Sequence, residues 1–97
     1  MEDQKIVSLL TRQGRFTGKL SESDEGRFIL HDAIEQQIFV TNQGVMVNGI
    51  IVGEIIIKQG QLGIMINLDS KSPLYQNYFQ VISNIALVKS KDTKGYM

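Results

Sequence analysis

Cysteine is absent from this chain, so neither a disulfide nor a thiolate metal site can hold it together. That absence fits a reducing compartment, and a cytoplasmic location is the expectation. Net charge is absent as well. Ten basic residues cancel ten acidic ones, which leaves no chain-wide basic field for gripping phosphate, only local patches. Long apolar runs are missing; Ile50-Ile51-Val52 and Ile55-Ile56-Ile57 are the densest stretches, and neither approaches a membrane-spanning helix. Met1-Glu2-Asp3-Gln4-Lys5 is acidic, leads straight into strand-like residues and does not read as a signal peptide. There is one histidine, His31, and one proline, Pro73. No group of side chains has metal-ligand spacing, and no glycine pair opens a helix as a phosphate loop would. No cofactor is expected.

What remains is 97 residues, 42% apolar and 21% charged. This composition describes one small globular domain with a modest core, for which self-association would help bury surface. Its organising stretch is Gly14 to Asp32. Phe16, Gly18 and Leu20 alternate with Arg15, Thr17, Lys19 and Ser21, the period-2 pattern of a half-buried strand. Ser23-Asp24-Glu25-Gly26 supplies a turn, and Phe28 and Leu30 resume the alternation. Gly18 lies mid-strand, where glycine marks a bend or a close backbone approach.

Either side of this unit the chain is also strand-like. Ile6–Leu10 is short and apolar and ends at Thr11-Arg12-Gln13-Gly14, the makings of a hairpin turn. Ala33 to Gln37 reads as a polar break. Ile38-Phe39-Val40, Thr41-Asn42-Gln43-Gly44 and Val45-Met46-Val47 read as a second hairpin, followed by the turn dipeptide Asn48-Gly49. Lys58-Gln59-Gly60-Gln61 is a turn before the alternation of Leu62, Ile64 and Ile66. Ser72 is placed to cap a helix of one or two turns starting at Pro73. Val81-Ile82 and Ile85–Val88 read as a strand broken at Ser83-Asn84, and 91–97 as a mobile polar tail. Strands with turns at short intervals predict an all-β barrel or sandwich.

Gly14, Gly18-Lys19-Leu20, Asp24 and Leu30-His31-Asp32 resemble, in order and spacing, the first signature of the Sm and Sm-like proteins. The resemblance covers about a quarter of the chain and implies a small, strongly bent, SH3-type five-stranded β-barrel that assembles into homo-oligomeric rings and binds single-stranded RNA. Two places compete for the second signature: Val45–Val52, with Asn48-Gly49 at its turn, and Val81–Val88, with Ser83-Asn84. The later site is preferred, being closer to the outline of the bacterial Sm-like RNA chaperone. It implies one domain over residues 5–90, with 34–78 an elaborated hairpin insertion. Sm-like proteins carried by bacteriophages have a similarly lengthened middle, which makes a phage source an expectation. Two departures bear on the ligand. Gly26-Arg27 stands where the family has a base-reading asparagine, and Asn48 or Ser83 where its second turn has an arginine.

The expected function is therefore a ring of about five to seven subunits binding single-stranded RNA, or DNA as the less favoured ligand, without catalysis and without a membrane. The candidate contacts are Arg27 and Asp24 at one turn, Asn48 or Ser83 and Asn84 at the other, and Arg12 and Lys89 as accessory basic or polar groups. The plainer account of the same charges is a solvated strand exterior and a solubilising tail. His31 beside Asp32 is no triad, because strand neighbours point to opposite faces. The rival reading is a non-catalytic structural or assembly ring, which the neutral charge and the missing base-contact residues favour.

Overall fold

Two of the hairpins are closed by the same four-residue device. In Thr11-Arg12-Gln13-Gly14 the Thr11 hydroxyl donates to the Gly14 carbonyl (3.0 Å) and accepts from the Gln13 N–H (3.1 Å). In Thr41-Asn42-Gln43-Gly44 the Thr41 hydroxyl makes the same two bonds at the same lengths. Gly14 and Gly44 both take positive φ, 142° and 121°, which an L side chain resists. The turns thus fix β1 (Ile6–Thr11) against β2 (Gly14–Glu22), and β3 (Arg27–Thr41) against β4 (Gly44–Lys58). A 3-10 turn, Gln59–Gln61, leads to β5 (Leu62–Asn67), and the helix α1 runs from Pro73 to Gly95. This computed structural model describes residues 5–23 and 25–95, with side chains through Asn84.

The five strands make one antiparallel sheet in the order β4-β3-β2-β1-β5. β1 is flanked by β2 and β5, so β4 and β5 are the two outer strands. The core draws on all five. Val7, Leu9, Leu30, Ala33 and Ile57 are buried together, with Phe16, Leu20, Phe28, Ile55 and Leu62 packed against them. The alternation at Phe16 and Leu20 therefore does point inward as expected.

The sheet is broken along one line. Thr17 faces Ile34 and Lys19 faces His31, so Gly18 alone opposes Asp32 and Ala33. On the far side, Leu30 faces Ile55 and Ala33 faces Gly53, so His31 and Asp32 together oppose Glu54. Asp32 and Gly53 both take positive φ, 50° and 91°. Bulges of this kind bend a strand and increase its twist. Gly18 is needed there because a Cβ would lie 3.0 Å from the His31 carbonyl oxygen and 3.1 Å from the Ala33 Cα. Both are backbone atoms that cannot swing aside.

Several expected elements fall differently. Residues 33–37 are not a break: β3 runs through them unbroken to Thr41. Asn48-Gly49 is not a turn but mid-β4, opposite Gln37 and Gln36. Gly49 leaves room where β3 and α1 converge, since a Cβ would lie 2.8 Å from both the Asn77 carboxamide and the end of the Ile34 side chain, and 3.1 Å from Val81. The expected strand at 81–88 is helix, because Pro73 onward keeps Leu74, Asn77, Tyr78 and Val81 at helical spacing facing the sheet. The helix starts where Ser72 predicts, with the Ser72 hydroxyl accepting from the Leu74 N–H at 3.2 Å, but it runs for 23 residues rather than one or two turns. Residues 91–95, expected as tail, belong to it. The span 34–78, expected as an insertion, contains β4 and β5 and so is part of the sheet itself.

α1 docks through polar groups as much as apolar ones. Gln36, 3% exposed, accepts from the buried Thr17 hydroxyl and donates to the Leu74 carbonyl and the Asn77 carboxamide, both at 3.0 Å. Asn77 in turn donates to the Val47 carbonyl at 3.1 Å. The Tyr78 ring is fully buried, and its hydroxyl donates to the Asp32 carbonyl at 2.8 Å. Thr17, expected on the solvated face, is buried because the helix covers it.

Two outcomes follow from this packing. Gly18→Ala must displace strand backbone, and should cost about 1–3 kcal/mol of stability, read as a lower urea midpoint. Burial, and secondarily the Asp32 charge, push the Tyr78 phenol from 10.0 up to about 12. The folded state therefore holds this proton more tightly than the unfolded chain. Its stabilisation is complete below pH 10 and is lost as pH rises towards 12. Tyr78→Phe should cost about 1 kcal/mol at neutral pH, with the gap to wild type narrowing above pH 10, measured by urea titrations across that range.

Candidate nucleic-acid interface

The β2–β3 connection is a tight polar turn organised by Ser23. Its hydroxyl accepts from the N–H groups of Glu25 and Arg27, each at 3.3 Å, and its own N–H donates to the Arg27 carbonyl at 3.0 Å. Gly26, at φ 75°, closes the turn with its N–H on the Ser23 carbonyl at 3.2 Å. Arg27 then enters β3 directly opposite Lys58, the last residue of β4. Lys58 opens the 3-10 turn, and its N–H donates to the Gln61 side chain at 3.1 Å.

The two connections enclose a hollow of about 370 Å³ lined by Glu25, Gly26, Arg27, Lys58 and Gln59. Among the described residues its lining brings two cations, one carboxylate and one carboxamide. Arg27 is paired with Glu25 through one guanidinium nitrogen, which leaves its other donors for a ligand. A second hollow, about 310 Å³, lies against the same 3-10 turn and is lined by Arg12, Gln13, Gly60 and Gln61. Three cationic side chains and the carboxamides of Gln13, Gln59 and Gln61 therefore gather around the β4–β5 turn. Such a surface suits a phosphodiester strand, with charge to neutralise phosphate and carboxamides to meet base edges.

The candidates named from sequence divide accordingly. Arg27 and Arg12 flank the β4–β5 turn. Asn48 is exposed on β4 opposite Gln37, in the outer part of the β3–β4 hairpin. Ser83 and Asn84 are exposed on α1. Asp24 and the Lys89 side chain lie outside the described residues. Neither competing second-signature segment faces the β2–β3 turn: 45–52 is continuous strand and 81–88 is helix. The residues that do face it, Lys58 and Gln59, were missed. The signal for them was present: Ile55-Ile56-Ile57, Lys58-Gln59-Gly60-Gln61, Leu62 has the same strand, glycine-bearing turn, strand outline.

His31 joins three strands. Its Nδ1 lies 3.0 Å from a Glu54 carboxylate oxygen and its Nε2 lies 3.0 Å from the Ser21 hydroxyl. A carboxylate only accepts, so Nδ1 is the donor toward Glu54, while the direction of the Ser21 contact follows the ring's tautomer. The order of contacts is that of a nucleophile, a base and an orienting acid. Its setting is an open strand face, however, where backbone N–H groups serve the sheet ladder rather than an oxyanion. Its evident effect is to tie β2, β3 and β4 together beside the bulges. Lys19, next to it on β2, pairs with Asp32 at 3.2 Å. Among the described residues no three His, Asp or Glu side chains converge as metal ligands, and no helix is long and apolar enough to cross a membrane.

No protein-family model matches this chain, and no curated protein sequence does.

Proposed function

We propose that this protein is an Sm-like ring protein that binds single-stranded RNA without catalysing a reaction on it. The observation that carries the reading is the hollow between the β2–β3 and β4–β5 turns, where Arg27 and Lys58 stand opposite each other. The strand order supports it, since a sheet running β4-β3-β2-β1-β5 and bent at Gly18 is what a five-stranded Sm-type barrel requires. The ring is supported by the two outer strands. Ile50, Ile51, Val52 and Ile56 on β4 and Ile64, Met65 and Ile66 on β5 are exposed. Apolar strand edges of this kind call for a partner, and pairing β4 of one copy with β5 of the next is a head-to-tail contact that closes when the rotation allows. Each copy then adds one cationic hollow, and a strand spanning several gains by avidity.

A second reading, a ring that serves as a structural scaffold, is favoured by one feature. From Gln36 to Gly53 there is no charged residue, and the outer part of the β3–β4 hairpin exposes Ile38, Phe39, Val40, Val45 and Met46. A surface of that size is suited to protein contact.

Labelled single-stranded RNA and DNA, titrated at low and moderate salt with the oligomer mass checked by light scattering, separate the two. RNA binding that weakens with salt is expected. Arg27→Ala should leave the assembly mass unchanged, weaken binding, and lower the slope of log affinity against log salt by roughly one. An intact ring with no RNA affinity at low salt would establish the scaffold reading instead, and a stable monomer would remove the ring.

A further inference from the structure

The hollow at Arg27 and Lys58 is not simply cationic, because Glu25 lines it too. We propose that Glu25 makes this hollow a guanine-reading site, selecting guanine over uracil in single-stranded RNA. The proposal rests on the RNA-binding reading above and adds the identity of the base.

A carboxylate in a site meant only for phosphate would work against it by repulsion. It is useful where the ligand brings N–H donors, since it can only accept. One Glu25 oxygen accepts from Arg27; the carboxylate retains a second oxygen and further lone pairs. Guanine is the one common base with two adjacent donors on its pairing edge, N1–H and the N2 amino group, and both can meet one carboxylate. Its neighbouring O6 accepts, and Gln59 and Lys58 in the same hollow are donors. Uracil offers a single N–H between two carbonyl oxygens, which a carboxylate repels. Adenine and cytosine each offer one amino group beside a lone-pair nitrogen. Arg27 is then free to take the flanking phosphate or to stack on the base plane.

The hollow is a shallow surface depression of about 370 Å³, open to solvent. The Glu25 side chain is 69% exposed, so water competes and the discrimination is moderate, roughly ten-fold in affinity.

The test compares a short oligouridine with the same oligomer carrying isolated guanines, a design that avoids guanine quadruplexes. Both are titrated against wild type and Glu25→Gln by fluorescence anisotropy at low salt. Glutamine presents one acceptor and one donor, so it cannot take both guanine donors. Wild type should bind the guanine oligomer roughly ten-fold tighter, and Glu25→Gln should close the gap, its affinity for oligouridine rising as the carboxylate's repulsion is removed, with its assembly mass unchanged. Equal binding of the two oligomers by wild type would overturn guanine reading while leaving RNA binding intact. A gap that survives in Glu25→Gln would overturn the role of this carboxylate. Failure of both oligomers to bind would overturn the RNA reading, and this inference with it.

Discussion

The contact on which the rest depends is backbone against backbone: Gly18 of β2 against His31 and Ala33 of β3. At that point β2 spends one residue where β3 spends two, and β4 has its own irregularity at Gly53. Three adjacent strands therefore change direction together. The consequence is geometric. Below the bend, Leu20, Phe28, Leu30, Ile55 and Ile57 pack with Val7 and Leu9 of β1 in one core. The same bend sends β3 and β4 outward above it as a long hairpin. Between them, the two halves account for why one strand pair has both fully buried and highly exposed apolar residues.

A bulge leaves backbone groups without ladder partners, and this one is completed from outside the sheet. Asp32, in the left-handed region at φ 50°, has its carbonyl taken by the Tyr78 hydroxyl of α1. A few residues further along β3, buried Gln36 spends its carboxamide on Thr17, Leu74 and Asn77. Helix docking and sheet bending are thus one arrangement. The helix satisfies polar groups that the bend and the uncharged hairpin would otherwise leave unpaired. It also needs Gly49 in order to approach closely enough to do so.

What could be read from the sequence follows from which interactions are local. The Thr-x-Gln-Gly turns, the alternation at Phe16 and Leu20, the bend at Gly18 and the Ser72-Pro73 helix start depend on neighbours a few residues apart, and all were legible. Gln36, Asn48-Gly49 and the run from Val81 were misread for a common reason. Gln36 is a polar residue in a strand interior, and only α1, nearly forty residues later, explains its burial. Asn48-Gly49 has turn chemistry, but its glycine answers a helix rather than a reversal. Val81-Ile82 and Ile85–Val88 are β-branched enough to suggest strand, and tertiary contact through Asn77, Tyr78 and Val81 overrides that propensity. Of the candidate site, Arg12 and Arg27 are legible in the sequence because a charge near a turn glycine is visible locally. Lys58 and Gln59 are not, because their role exists only once β4 has been registered against β3.

That registration also bears on the tension between a neutral chain and the phosphate binding proposed for it. Whole-chain charge is the wrong quantity for a site smaller than a Debye length, about 8 Å at physiological salt. What matters is how charge is distributed. The chain removes every charged residue from Gln36 to Gly53, while Arg12, Arg27 and Lys58 come together around the opposite end of β4 through turns and cross-strand register. Lys19 and Arg15 are drawn off to Asp32 and Ser8. Among the described residues, the Glu25 carboxylate lies inside the cationic group. In the proposed RNA complex its repulsion would limit how tightly phosphate alone is held, so that affinity at this end would draw also on hydrogen-bond donors of a base.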